Sequence, residues 1–335
     1  MKKRLYAIVR VVISLFLIAL LLFIMRGNYA KIVYLFTHIH IKIFIMSFVY
    51  FVIGISIATL RLKLIIQAQE LKVTFFEAIN LTFIGYFFNN FLPTAIGGDF
   101  VKAYYVSKKT KNVTASYASV FMDRFLGLLT MMLMAACALF ILKGFIYDKT
   151  EVLLISIAVA GALFFLSLLF NKGFASRFAF VLKIAKPLED KLKKLYNAIH
   201  SYRKNRMLLL QSFILSFFSQ FVYFYSVFLL ALSIGFRLPM KELFLRIPLV
   251  SALALLPSIN GLGVREGSIV MLFGPLIGKE NAFAVSLLTL ATLMIISFIG
   301  GLIYAFSPQF KVELKSGETL ETELTLQGSQ TGDRK

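Results

Sequence analysis

The stretch FLPTAIGGDFVKAYYV, Phe91 to Val106, breaks a helix inside apolar sequence and puts a carboxylate in the gap. Pro93 cannot continue the helix before it, because it has no amide hydrogen and its ring clashes with the preceding turn. Gly97 and Gly98 free the backbone to turn back. The apolar piece that follows, from Gly97 to Val106, is too short to cross a bilayer, which takes about 20 residues of helix. Non-helical backbone at membrane depth survives only where protein covers it or where it lines a wet cavity. The segment therefore reads as a re-entrant hairpin, near 90–106, with Asp99 at its turn.

The surrounding chain makes the membrane reading necessary. Of its 335 residues 59% are hydrophobic and only 16% charged, with a mean hydropathy of +0.83. A soluble domain carries roughly 25% charged residues, and one soluble core could not hide this much apolar surface. Apolar runs of spanning length lie at 6–25, 43–60, 73–92, 113–142, 151–170, 208–234 and 281–305. The expected fold is an all-α polytopic membrane protein with about 7 spanning helices and two re-entrant broken-helix hairpins, near 90–106 and 243–277. The N-terminal MKKR and the apolar run after it mimic a signal peptide, but no small-x-small cleavage site follows. That run is expected to stay as the first transmembrane helix. Residues 1–307 form the transmembrane domain, and the polar tail 308–335 is expected to be disordered.

The net charge of +20 does not point to nucleic acid in such a chain. Most of the 36 Lys and Arg residues fall on one side when the N-terminus is placed in the cytoplasm and both broken segments are treated as re-entrant, as the positive-inside rule requires. Both termini are then cytoplasmic, in the inner (plasma) membrane. Residues 172–207 hold a dense basic block with apolar residues at three-to-four spacing. They read as a basic amphipathic helix on the cytoplasmic face, in contact with anionic lipid.

A second break matches the first. LPTAIGGD (Leu92–Asp99) and LPSINGLG (Leu256–Gly263) both run Leu-Pro-hydroxyl-x-x-Gly. Charge follows each: Asp99 and Lys102 in one, Arg265 and Glu266 in the other. The first hairpin enters from the cytoplasm and the second from outside, an inverted pair. Matched interrupted segments in two halves are the best sequence pointer to a transporter's substrate site. The blander alternative is that Pro and Gly only kink packed helices.

Asp123 and Arg124 add charge to the run 113–142. Such a pair is costly at membrane depth unless it faces protein or water. Successive residues do not face each other on a helix, so each needs its own partner. Arg124 is expected to pair with Asp99 or Glu266, or to grip a lipid phosphate with both arms of its guanidinium. An ion-pair lock between helices is the structural alternative. No cofactor or metal site is expected. GLGVREG has the wrong spacing and setting for a dinucleotide loop, and His38 and His40 have no carboxylate or cysteine near them in sequence.

Together these residues resemble the lysylphosphatidylglycerol synthase transmembrane, or flippase-like, family. The motif is P-x-x-x-G-G-D with a basic residue after it, Asp-Arg in the next long helix, and a late P-x-x-x-G-x-G-x-x-E. The resemblance covers about residues 5–306. It implies a lipid head-group site at Pro93, Gly97, Gly98, Asp99, Lys102, Asp123, Arg124, Pro257, Gly261, Gly263, Arg265 and Glu266. Where the family pattern carries Arg, this chain has Lys102, a point charge rather than a bidentate fork. Fused members of the family add an aminoacyl-transfer domain, which this sequence does not contain, so the resemblance implies lipid translocation rather than synthesis.

The expected cargo is a phospholipid or polyprenyl lipid. Arg124, Arg265 and Lys102 would meet phosphate, and Asp99 and Glu266 an amine, a sugar hydroxyl or a proton. A homo-oligomer or a separate synthase are the protein partners considered. The alternatives are a membrane enzyme or accessory subunit making a modified or glycosylated lipid, and a scaffold that docks a soluble partner on the basic block.

Overall fold

The computed structural model describes Phe23 and residues 29–91, 97–141, 149–170, 189–254, 256, 258 and 260–307. Every regular element among them is helical. A backbone in lipid has no water to bond, so it must satisfy its own amides, and a helix does so within one segment. In order the helices are α1 (Tyr29–Thr37), α2 (Ile41–Gln67), α3 (Phe75–Phe91), α4 (Gly97–Thr110), α5 (Val113–Ile141), α6 (Lys149–Phe170), α7 (Glu189–Ser201), α8 (Arg206–Ser233), α9 (Met240–Leu253), α10 (Val264–Ile277) and α11 (Lys279–Phe306), with a 3-10 turn at Tyr202–Lys204 before α8.

Of the seven apolar runs, four correspond to described helices long and apolar enough to cross a membrane: α2, α5, α8 and α11. The run 151–170 lies in the 22-residue α6. The run 73–92 is the 17-residue α3, one limb of the first hairpin. The run 6–25 falls outside the described residues apart from Phe23, as do Pro93, Pro257 and the tail 308–335.

The order span, hairpin, span occurs twice. The first spans begin at Ile41 and Arg206, the hairpins at Phe75 and Met240, and the closing spans at Val113 and Lys279, a nearly constant step. The two first spans run antiparallel along their whole length. At one end the His40 N–H donates to the Ser233 carbonyl (2.8 Å). Further along, the Ser47 hydroxyl donates to the Ser226 carbonyl (2.8 Å). At the other end the Asn205 amide donates to the Ala68 carbonyl (2.9 Å). Midway, a Cβ built on Gly54 would lie 3.5 Å from the Ser219 carbonyl, and the step between the repeats carries Gly54 onto Ser219 itself. The centre of the crossing is thus its own counterpart, as a two-fold relation between inverted repeats demands. Small residues allow the close approach. Ser216, Ser219, Ser226 and Ser233 of α8 are all buried, and lipid-embedded helices associate through such residues because tails are as apolar as leucine.

The packing repeats the same exchange. In each half the hairpin's second limb lies on that half's closing span: α4 on α5, and α10 on α11. The first limb lies on the closing span of the other half: α3 on α11, and α9 on α5. The α3–α11 crossing is tight, since a Cβ on Gly300 would sit 2.0 Å from the Phe83 carbonyl. The two halves are interlocked.

The described part of the basic block, α7, docks its apolar face on the bundle. Leu195, Ala198 and Ile199 pack with Ile65, Met122 and Leu126 of α2 and α5. The buried Tyr202 hydroxyl donates to the Ile65 carbonyl at 3.1 Å. Residues 171–188 lie outside the described set.

Candidate functional site

The helices flanking each break pack on each other as the two limbs of a hairpin. In the first, Lys109 pairs with Glu77 at the mouth, and Gly98 meets Gly85 near the tip. A Cβ on Gly98 would fall 1.9 Å from the Gly85 carbonyl, so only glycine fits there. The Gly98 N–H, one of the amides left free at a helix start, donates to Asn89 Oδ1 at 2.7 Å. In the second hairpin, Arg246 donates to the Leu272 carbonyl across the two limbs. Gly261 and Gly263 take positive φ of 75° and 82°, a region open to glycine at no steric cost. The chain thereby turns directly into α10. Glu266, three residues after Gly263, accepts the Gly263 N–H at 2.6 Å and closes that helix start.

Because α2 and α8 are antiparallel, the hairpins enter from opposite ends of the bundle and their tips meet. The Asn260 amide, just before Gly261, donates to Asn90 Oδ1 at the end of α3. Beside this contact lies a cavity of about 280 Å³ bounded by both hairpins and by α2, α5, α8 and α11. Its wall carries Arg61, Lys102, Asp123, Arg124 and Arg265 together with Tyr86, Asn89, Tyr223 and Asn260.

The charges are paired, two of the pairs across elements and two within one helix. Asp99, buried at the start of α4, takes Lys102 Nζ on Oδ1 at 3.3 Å and Arg124 Nε on Oδ2. A carboxylate in the first turn of a helix also meets the positive end of its dipole. Asp123 turns the other way around α5 and accepts Arg61 Nε at 2.7 Å. The Arg61 guanidinium also donates to Ser216 Oγ at 2.9 Å. In the second hairpin, Arg265 donates to its neighbour Glu266 at 2.8 Å. Asp123 and Arg124 thus have separate partners, and of the two carboxylates considered for Arg124 it is Asp99 that holds it.

The predicted site residues fall into two groups. Lys102, Asp123, Arg124 and Arg265 line the cavity, with Asp99 and Glu266 bonded directly to them. Gly261 and Gly263 shape the second turn, whereas Gly97 and Gly98, expected to turn the chain, are the first residues of α4, where Gly98 is needed for its close approach to Gly85. Sequence reasoning missed Arg61, which lies just past the apolar run 43–60. In the structure α2 continues to Gln67, which places Arg61 inside the helix and beside Asp123. It also missed Asn89, Asn90 and Asn260, amides adjoining the two breaks, and the hydroxyls of Tyr86 and Tyr223. No group of three or more His, Cys, Asp or Glu able to hold a metal occurs among the described residues.

An all-helical bundle with membrane-length apolar spans, opposed broken hairpins and a charged cavity at their junction defines a polytopic membrane protein built on an inverted repeat. The chain belongs to the lysylphosphatidylglycerol synthase TM region family, whose model matches residues 7–301. This is a family of membrane proteins involved in lipid handling. Among curated proteins the chain is similar to the UPF0104 membrane protein PH1989 of Pyrococcus horikoshii. The two are 26% identical over 78% of this chain and 86% of that protein. No solved structure matches it.

Proposed function

We propose that the protein is a lipid translocase, which moves a phospholipid or lipid-linked head group between leaflets of the cytoplasmic membrane. The head group sits in the cavity between the hairpin tips while the acyl or prenyl chains stay in the bilayer. The observation that carries this reading is the set of guanidinium, ammonium and phenol donors lining one cavity inside an apolar bundle. Ionisable side chains at membrane depth are costly and mark substrate pathways. The inverted hairpins support it too, since opposed repeats allow one site to face either side in turn.

The basic end of the bundle, with Lys108, Lys109, Arg203, Lys204 and Arg206, faces the cytoplasm, where anionic lipid attracts it. Both chain termini lie on that side. Anionic lipid gathers along α7 before it enters the site.

The test is leaflet exchange of fluorescent lipid in proteoliposomes. Exchange above that of protein-free vesicles is expected. It should fall by about tenfold or more in Arg124→Ala and Asp99→Asn, since one lost charge-assisted contact is worth about 1.5–3 kcal/mol. Equal exchange with and without protein would overturn the proposal.

A further inference from the structure

We infer that the lipid held in this cavity carries a head group of net charge −1, a phosphodiester with no compensating amine; the inference rests on the translocase reading above. Among the described residues, the charged groups at the cavity are Arg61, Lys102, Arg124 and Arg265 against Asp99, Asp123 and Glu266. With these pairs ionised, four cations face three carboxylates and one positive charge is left over. A net charge in a low-dielectric interior is costly unless it is matched. A phosphodiester closes the balance. A zwitterionic head leaves it open, and an aminoacyl ester head of net charge +1 doubles the excess.

The hydrogen-bond inventory agrees. Each carboxylate already holds a partner: Asp99 has Lys102 and Arg124, Asp123 has Arg61, and Glu266 has Arg265 and the Gly263 amide. An incoming amine would compete with these cations for the carboxylate oxygens. The donors, by contrast, have capacity to spare. Among the described residues, Arg124 uses only Nε, on Asp99, and Arg265 leaves Nη1 open. Tyr86 and Tyr223 line the same space. Two planar guanidiniums with free arms suit phosphate oxygens. In this reading the carboxylates hold the cations in place, and the phosphate takes the open guanidinium arms.

The experiment uses the full-length protein and three acyl-labelled lipids: phosphatidylglycerol (net −1), phosphatidylethanolamine (zwitterionic) and lysyl-phosphatidylglycerol (net +1). Binding is read by thermal shift in detergent, and leaflet exchange in proteoliposomes. Phosphatidylglycerol is expected to bind at least about tenfold more tightly than either other lipid, as one unmatched charge in a partly dried site implies. Lys102→Gln, which removes the second cation on Asp99 and leaves the Arg124–Asp99 pair, should erase the preference, and Lys102→Arg should retain it. Equal or tighter binding of lysyl-phosphatidylglycerol overturns the inference. So does a shift by glycerol phosphate alone as large as that by phosphatidylglycerol, which marks a site for free phosphate. Exchange absent for every lipid, with the binding preference intact, overturns the translocase reading and leaves the head-group assignment standing.

Discussion

Asn90 and Asn260, 170 positions apart in the chain, hydrogen-bond to each other where the two hairpin tips meet. One comes from the helix that ends at the first break, the other from the turn that opens the second. Their contact brings the two halves together beside the charged cavity. Cysteines at both positions, in a Cys137→Ser background that removes the one native cysteine, should be joined by a short bis-thiosulfonate linker. The joined protein should lose lipid exchange and regain it on reduction. Efficient linking with undiminished exchange would mean that the tips need not part for transport.

The Arg61–Asp123 pair has both side chains largely buried, at 7% and 13% exposure. Removing one partner strands the other. Arg61→Gln or Asp123→Asn should each cost about 3–5 kcal/mol, while the double substitution should cost far less than the sum. Chemical unfolding in detergent measures all three. Additive losses would mean that the two residues act independently.

Close backbone contacts make Gly98 and Gly300 sensitive positions. A Cβ on either would lie within 2.0 Å of a carbonyl on another helix. Gly98→Ala and Gly300→Ala should each lose about 1–3 kcal/mol or more through forced helix displacement. Gly267→Ala is the matched control, because nothing lies within 4 Å of its Cβ position. It should be neutral or gain up to about 1 kcal/mol from helix propensity. Thermal unfolding of the three variants separates the effects.

Opposed hairpin mouths give an accessibility prediction. Lys108, at the mouth of the first hairpin, and Lys279, at the mouth of the second, are both exposed. Cysteines placed there one at a time, in the Cys137→Ser background, should react with an impermeant maleimide from opposite sides of the membrane: Lys108→Cys from the cytoplasm, Lys279→Cys from outside. Labelling of both from one side would contradict the proposed orientation.

Much of this arrangement was legible in the residues because breaks and charges stand out against apolar sequence. Pro93 with Gly97 and Gly98, and Pro257 with Gly261 and Gly263, stand out as matched clusters in apolar sequence. Asp99, Arg124 and Arg265 needed partners, and the structure supplies them. Arg61 was not legible for a physical reason. An arginine near the end of an apolar run normally marks the water boundary, and only the partner on α5 reveals that this one lies within the helix. The antiparallel crossing was hidden for a similar reason. Gly54 and the serines of α8 are small residues whose meaning depends on which helix lies opposite, and that is a long-range fact. The pairing of α3 with α11 and of α9 with α5 leaves no mark on local sequence.

That exchange of limbs bears on how the protein is made. When the ribosome has finished α5, the Phe83 face of α3 has no Gly300 to receive it, and it must wait in the bilayer until the last helix is inserted. Neither half can complete its own packing. A stop codon between α6 and α8 should therefore yield a fragment that membrane quality control removes. Co-expression of the missing half as a separate polypeptide should rescue it.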